Sequence, residues 1–123
     1  MTAVLTFLAP PPGFSPHTEF ILQPVDGAEG LFAMQATAQS GLRVYLVDPR
    51  TVLDDYTPTL ADEHAAALAL TSPSDVLLLV VAHPTEGHVS VNLLAPVVIN
   101  TATGAAAQVI LEDQDYPVRA LLV

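Results

Sequence analysis

The chain contains no cysteine, no tryptophan and no lysine, and arginine occurs only three times. Without cysteine there are no disulfide bonds, no thiol nucleophile and no cysteine-based metal site, so nothing requires an oxidising compartment. The first residues lack the basic stretch that opens a secretory signal. The longest unbroken apolar run, Val76 to Ala82, is far too short to cross a bilayer. We therefore expect a cytoplasmic protein.

Positive charge is scarce. Thirteen acidic residues face Arg43, Arg50 and Arg119, and the formal net charge is −10. Such a surface repels phosphate backbones and anionic lipid, which disfavours direct binding to nucleic acid or to a membrane. A basic protein is the complementary partner. With 123 residues, of which 51% are hydrophobic, we expect one folded domain over residues 1–123.

Apolar residues alternate regularly between residues 89 and 100. All odd positions are apolar, which is typical of a half-buried strand, but Leu94 and Val98 also make the even face partly apolar. This favours a strand that is covered on both sides, as in a small closed barrel. Pro96 cannot donate to a strand ladder, so it should lie at an edge, a bulge or a corner. We interpret residues 89–111 as one long bent β-hairpin.

The remaining pattern predicts further strands and one helix. Asp62 is the expected N-cap of the helix, and Ser72-Pro73 should end it. Leu60, His64 and Leu68 share the helix face that should pack on the sheet. The predicted fold class is mostly β: a small closed or pseudo β-barrel of antiparallel strands with one short helix. The predicted strands are Val4 to Leu8, Glu19 to Gln23, Leu31 to Thr37, Leu42 to Val47 and Val76 to Ala82.

The sequence offers little that is typical of catalysis or metal binding. Gly-x-Ser-x-Gly, phosphate-binding glycine loops and His-Glu-x-x-His are all absent. His83, Glu86 and His88 could provide metal ligands, but a solvated hairpin loop over residues 83–88 is the favoured interpretation. The acidic run at residues 112–115 has neither the length nor the glycine of a calcium loop. We expect no catalytic residues, no metal and no cofactor.

Asn92, Asn100 and Gln108 are the polar side chains within or beside the long hairpin. They could hydrogen-bond a partner. Alternatively, they satisfy backbone groups where Pro96 interrupts the ladder, and this structural role is the favoured one.

Several motifs together resemble the flagellar assembly factor FliW family. The most specific is the run from Asn92 to Asn100, followed by Gln108-Val109-Ile110-Leu111 and Tyr116. Phe7 with Pro12-Gly13-Phe14, Met34-Gln35, and Asp48-Pro49 with Asp55-Tyr56 resemble the earlier motifs of the family in the same order. The chain departs from the family at its start, where Pro10-Pro11 replace Gly-Leu and few residues precede Phe7. We therefore expect an uncovered barrel edge near residues 4–8, to which a second copy could pair.

The resemblance implies a non-enzymatic regulator that binds flagellin and the RNA-binding translational repressor CsrA. Flagellin and CsrA would compete for the protein, so that secretion of flagellin frees it to relieve repression of flagellin mRNA. From residue chemistry we assign the partner-binding residues to two acidic loops: Asp54, Asp55, Tyr56, Glu112 and Asp113. The alternatives are a small-molecule-binding or hydrolytic β-barrel, and a flagellin chaperone without CsrA activity.

Overall fold

The computed structural model of the protein describes residues 2–39, 41–53, 55–112 and 114–122. Within these ranges the chain forms nine strands and one α-helix, α1, which spans Asp62–Ala67. Short 3-10 turns at Pro49–Thr51 and Pro73–Asp75 flank the helix region. The strands, in chain order, are β1 Ala3–Phe7, β2 Glu19–Pro24, β3 Leu31–Ala36, β4 Arg43–Val47, β5 Val76–Thr85, β6 His88–Val91, β7 Val97–Asn100, β8 Ala105–Gln108 and β9 Ala120–Leu121.

Seven of these strands close into a barrel. Their order is β4-β3-β2-β1-β8-β7-β5, and pairing of β4 with β5 completes the ring. The predicted fold class is confirmed, with one parallel contact among the antiparallel ones: β1 runs parallel to β8, where Thr6 pairs with Ala105. Because β1 also pairs with β2, the expectation of an uncovered edge near residues 4–8 is wrong. The carboxyl-terminal half of β5 extends beyond the ring and pairs with β6, which pairs with β9.

The strand predicted across residues 89–100 is interrupted. Val91 pairs with Ala82 and Val97 with Leu79, so residues 92–96 stand opposite only two residues of β5. We call residues 92–96 the bulge. Pro96 lies at its end, where a missing N–H costs no ladder bond. The single hairpin predicted over residues 89–111 is therefore divided. Its first part, β6, pairs with β5 in one hairpin, and β7 pairs with β8 in another.

The barrel interior is filled by apolar side chains. All seven barrel strands contribute to this cluster, and Phe20, Leu46 and Leu79 are fully buried. Phe20 contacts the rings of Phe7 and Phe14 edge-on, each with a centroid separation of 5.3 Å. Two smaller clusters lie outside the barrel wall, beneath the loops and the helix.

Helix α1 covers one of the outer clusters. Leu68 at its end is 1% exposed and packs with Leu60 against β7, as the predicted stripe requires, while His64 is half-buried. The expected cap is wrong: Ala61 occupies the N-cap position without a side-chain bond, and Asp62 is the first helical residue. An acidic residue in the first turn still favours the helix dipole.

Gly104 is a point where the closing contact between β1 and β8 depends on glycine. Its φ is +82°, and an added Cβ would lie 2.7 Å from the Val4 carbonyl oxygen. Its own carbonyl oxygen accepts from Thr6 N at 2.9 Å. Backbone movement at Gly104 therefore disturbs the pairing of β1 with β8, which we call the seam.

We predict that Gly104→Ala lowers the free energy of unfolding by about 2 kcal/mol, because alanine is strained at positive φ and collides with the Val4 backbone. Urea denaturation measures the change. Gly41→Ala is the matched control, since Gly41 has no positive φ and no atom near its added Cβ. Equal stability of the two variants would contradict this account of the seam.

Candidate functional site

The two acidic loops singled out by the sequence meet in the structure. The rings of Tyr56 and Tyr116 pack edge-to-face, with centroids 4.8 Å apart and planes at 78°. Beside them, Thr59 N donates to Gln114 Oε1 and Gln114 Nε2 donates to Thr59 O, both at 2.8 Å. An aromatic pair of this kind contributes about 1 kcal/mol beyond its buried area. These contacts join residues 55–61 with residues 112 and 114–117 into one surface, which we call the acidic loop surface.

The bulge holds this surface against the barrel. The Tyr56 hydroxyl donates to Leu93 O at 2.6 Å, and Leu93 N donates to Pro117 O at 3.1 Å. Leu111 N donates to Leu94 O at 2.8 Å. Both loops are therefore anchored to the same short segment, and their relative position follows from it.

Two of the assigned partner-binding residues, Asp55 and Glu112, are exposed, as a contact role requires. Asp54 and Asp113 lie outside the described residues. Asp115, which was not among the assigned residues, is exposed beside Gln114. The start of α1 also approaches this surface, because Ala61 and His64 line a cleft together with Glu112 and Gln114. Asp62 and Glu63, between Ala61 and His64, are exposed.

Tyr56 differs from the exposed contact residue that the sequence suggested. It is half-buried, and burial, followed by the proximity of Tyr116, raises the pKa of its hydroxyl above the ordinary value of 10.0. The hydroxyl is used within the protein as a donor to Leu93 O. Tyr56 therefore positions the loop that carries Asp55.

Arg50 is a cation close in sequence to this surface, and it is already paired. Asp48 Oδ1 accepts from Arg50 N at 3.0 Å and from Nε at 3.1 Å, and Oδ2 accepts from Nη2 at 2.7 Å. The Arg50 guanidinium holds the pKa of the Asp48 carboxyl below its usual value. Because Asp48 pairs with Arg50, the positive charge of Arg50 does little to offset the acidic loop surface.

The amides of the motif bind backbone groups. Asn92 Oδ1 accepts from Leu94 N at 3.1 Å and Ala95 N at 3.0 Å, which turns the chain into the bulge. Gln108 Nε2 donates to Ala95 O at 3.0 Å. Asn100, 2% exposed, donates to Leu68 O at 2.8 Å and accepts from Ala102 N at 2.9 Å, tying the end of α1 to β7.

Cavities of about 410 and 550 Å³ lie at the two mouths of the barrel, and none of the described Asp and Glu residues lines either of them. His83 belongs to strand β5, and the predicted loop over 83–88 is only the two-residue turn Glu86-Gly87. In the described part of the chain, no three His, Asp or Glu side chains are grouped so that they could hold a metal ion. None of the described helices is long and apolar enough to span a membrane.

The fold and this site define a small closed β-barrel whose two acidic loops form one continuous surface. A family profile described as "FliW protein" matches residues 1–122. A "Flagellar assembly factor FliW" from Desulfitobacterium hafniense (strain DSM 10664 / DCB-2) is 34% identical over 110 residues, covering 88% of this chain and 72% of that protein. Another, from Ruminiclostridium cellulolyticum, is 40% identical over 88 residues, covering 70% and 60%.

Solved structures agree with the sequence comparisons. The crystal structure of a flagellar assembly factor FliW superposes with a TM-score of 0.90 at 26% identity, covering 97% of this chain and 84% of that chain. The chain belongs to the FliW family of flagellar assembly factors.

We predict that Tyr56→Phe costs about 1 kcal/mol of unfolding free energy, because it leaves the Leu93 carbonyl without its donor and keeps the ring contact. Urea denaturation at pH 7 measures the loss. Tyr45→Phe is the matched control, since the Tyr45 hydroxyl has no hydrogen bond to any described residue. A Tyr56→Phe protein as stable as the control would mean that the hydroxyl does not hold the loop.

Alkaline pH should remove the difference in unfolding free energy between the unmodified protein and Tyr56→Phe. A tyrosine whose pKa is raised on folding contributes stability that is complete below its unfolded pKa of about 10 and declines as the pH rises towards its folded value. The unfolding free energy of the unmodified protein should therefore fall more steeply between pH 9 and 11 than that of Tyr56→Phe. Parallel pH profiles for the two proteins would contradict the buried environment of Tyr56.

Proposed function

We propose that this chain is a non-enzymatic, cytoplasmic regulator that binds flagellin and antagonises the translational repressor CsrA. Family membership supports a role in flagellar assembly. The observation that carries the finer proposal is the acidic loop surface, in which Asp55, Glu112 and Asp115 are exposed on loops that Tyr56–Tyr116 and Thr59–Gln114 hold together.

Electrostatics supports a basic, RNA-binding partner. With a net charge of −10, the protein attracts a basic surface over a distance of about one Debye length, and this accelerates encounter at low salt. Once bound, the same charge repels the phosphate backbone of a message from the neighbourhood of the repressor. Antagonism then does not require that the RNA site itself be covered.

Partner exchange would couple synthesis to secretion. Flagellin that accumulates in the cytoplasm occupies the protein and leaves CsrA free to repress flagellin mRNA. Secretion of flagellin releases the protein to bind CsrA. The apolar filling of the barrel favours this protein-binding role over a hydrolytic one, as does the lack of carboxylates among the described residues that line the two mouths.

Calorimetric titration of the purified chain with CsrA from the same organism, with and without flagellin, tests the proposal. Saturable binding that flagellin abolishes is the expected result. Binding to flagellin alone would leave a chaperone without CsrA activity. A folded sample that binds neither protein would overturn the proposal and return attention to a small ligand in a barrel mouth.

We predict that Asp55→Lys/Glu112→Lys weakens CsrA binding at least about tenfold and flattens its salt dependence, because two attractive charges become repulsive. The control is Asp26→Lys/Glu29→Lys, which changes the net charge equally at exposed positions between β2 and β3. Titrations at two salt concentrations compare the pairs. If both pairs reduce affinity equally, overall charge and not the acidic loop surface determines binding.

A further inference from the structure

One mouth of the barrel holds a cavity that the proposed function does not use. Its volume is about 410 Å³, and apolar side chains from separate parts of the chain form most of its wall, among them Phe14, Met34, Val44, Val81 and Val97. None of the described Asp, Glu and Arg residues lines it, and its polar side chains are His83, Asn92 and Gln108. An apolar cavity with a few polar groups is the usual form of a ligand site in a barrel mouth.

Two of its polar groups are side-chain amides in which only one of the two polar atoms has a hydrogen-bond partner among the described residues. Asn92 and Gln108 both line the cavity, and both bind the backbone of Ala95, one through its N–H and the other through its carbonyl oxygen. Both amides are therefore held by the same residue of the bulge. These backbone partners use Asn92 Oδ1 and Gln108 Nε2. Among residues 2–39, 41–53, 55–112 and 114–122, neither Asn92 Nδ2 nor Gln108 Oε1 has a hydrogen-bond partner.

A free donor and a free acceptor on one wall are the complement of an extended residue, because the N–H and C=O of one residue point to the same side of its strand, whereas those of one trans peptide unit point to opposite sides. The carbonyl of such a residue accepts from Asn92 Nδ2, and its N–H donates to Gln108 Oε1, in the manner of a strand that adds to a sheet edge. None of the described Asp, Glu and Arg side chains lines the wall, where His83 is the titratable side chain, so a cationic small molecule finds no carboxylate there. Neutral amide hydrogen bonding with an apolar side chain is the chemistry that fits.

The acidic residues beyond the cavity rim favour a particular charge on the part of the ligand that lies outside the cavity. Ile110 is 63% exposed and lines both this cavity and the cleft that contains Glu112. A segment that leaves the cavity over Ile110 therefore reaches the acidic loop surface. A basic residue complements that surface and an acidic one is repelled.

We propose that this cavity binds an extended peptide segment of a protein partner, with an aliphatic side chain inside, the backbone C=O and N–H of that residue paired to Asn92 and Gln108, and a basic residue next to Glu112. The inference goes beyond the proposed function, because it assigns a peptide site that exists whichever protein supplies the segment. Blocked dipeptides test it without CsrA or flagellin.

The first test is an NMR titration of the ¹⁵N-labelled chain with N-acetyl-leucine N-methylamide. Saturable shifts are expected at Phe14, Asn92 and Ile110, with a Kd of about 1–10 mM for so small a ligand. N-acetyl-N-methyl-leucine N-methylamide, which lacks the N–H that would donate to Gln108, should bind at least about threefold more weakly. Equal binding of the two compounds, no shifts, or shifts confined to the opposite mouth would overturn the proposal.

Asn92→Asp isolates the free donor. A carboxylate still accepts from Leu94 N and Ala95 N, so the turn is kept, while Nδ2 is replaced by an oxygen that repels a peptide carbonyl. We expect at least tenfold weaker binding of the methylamide. Gln23→Glu, exposed on β2, introduces the same charge elsewhere and should leave binding unchanged. Undiminished binding by a folded Asn92→Asp protein would contradict the pairing of the ligand carbonyl with Asn92 Nδ2.

A second pair of peptides tests the basic residue of the proposed ligand, which we call its basic flank. N-acetyl-leucyl-arginine N-methylamide should bind more tightly than its glutamate counterpart at low salt, and the difference should shrink at high salt. Glu112→Gln should reduce the difference without changing binding of N-acetyl-leucine N-methylamide. Equal affinities for the arginine and glutamate peptides would overturn the basic flank of the proposed ligand.

Discussion

The bulge is the constraint on which the rest of the structure depends. It places five residues opposite two, and beyond the bond from Asn92 N to Val81 O its backbone makes no ladder bond with β5, yet every polar group from Leu93 to Pro96 has a partner. The carbonyl oxygens accept, in order, from Tyr56, Leu111, Gln108 and Val109. The N–H groups bind Pro117 and Asn92, and Pro96 has none to satisfy. Because orphaned buried groups are costly, these partners are held in place.

This arrangement separates stability from recognition. The interior cluster closes the barrel without the loops, and the acidic side chains sit on segments whose contacts are uncharged. Like charges on Asp55, Glu112 and Asp115 repel one another, while the aromatic pair and the Thr59–Gln114 bonds oppose that repulsion. A basic partner relieves the same repulsion when it binds. Rigid support for charged loops therefore serves affinity as well as folding.

Local patterns predict the strands β1 to β5, but not the bounds of β8, the strand β9 or the distant pairing. The alternation around residues 89–100 and the run from Val76 predicted both strands, and Pro96 was expected at a bulge or a corner, where it lies. Residues 92–96 were nevertheless interpreted as strand, because their apolar character is used in clusters outside the barrel. The edge expected at β1 is covered by β8, about a hundred residues away. Gln114 gave no signal, since only the fold places it against Thr59.

In the proposed peptide site, Asn92 and Gln108 combine a structural role with a binding role. A primary amide has a donor end and an acceptor end, and the bulge uses one end of each. The backbone bonds fix the orientation of both side chains, and so fix what their other ends present to the cavity. Preorganised polar groups lose little freedom when a ligand binds. The same contacts that satisfy the interrupted strand therefore prepare the wall of the cavity for recognition.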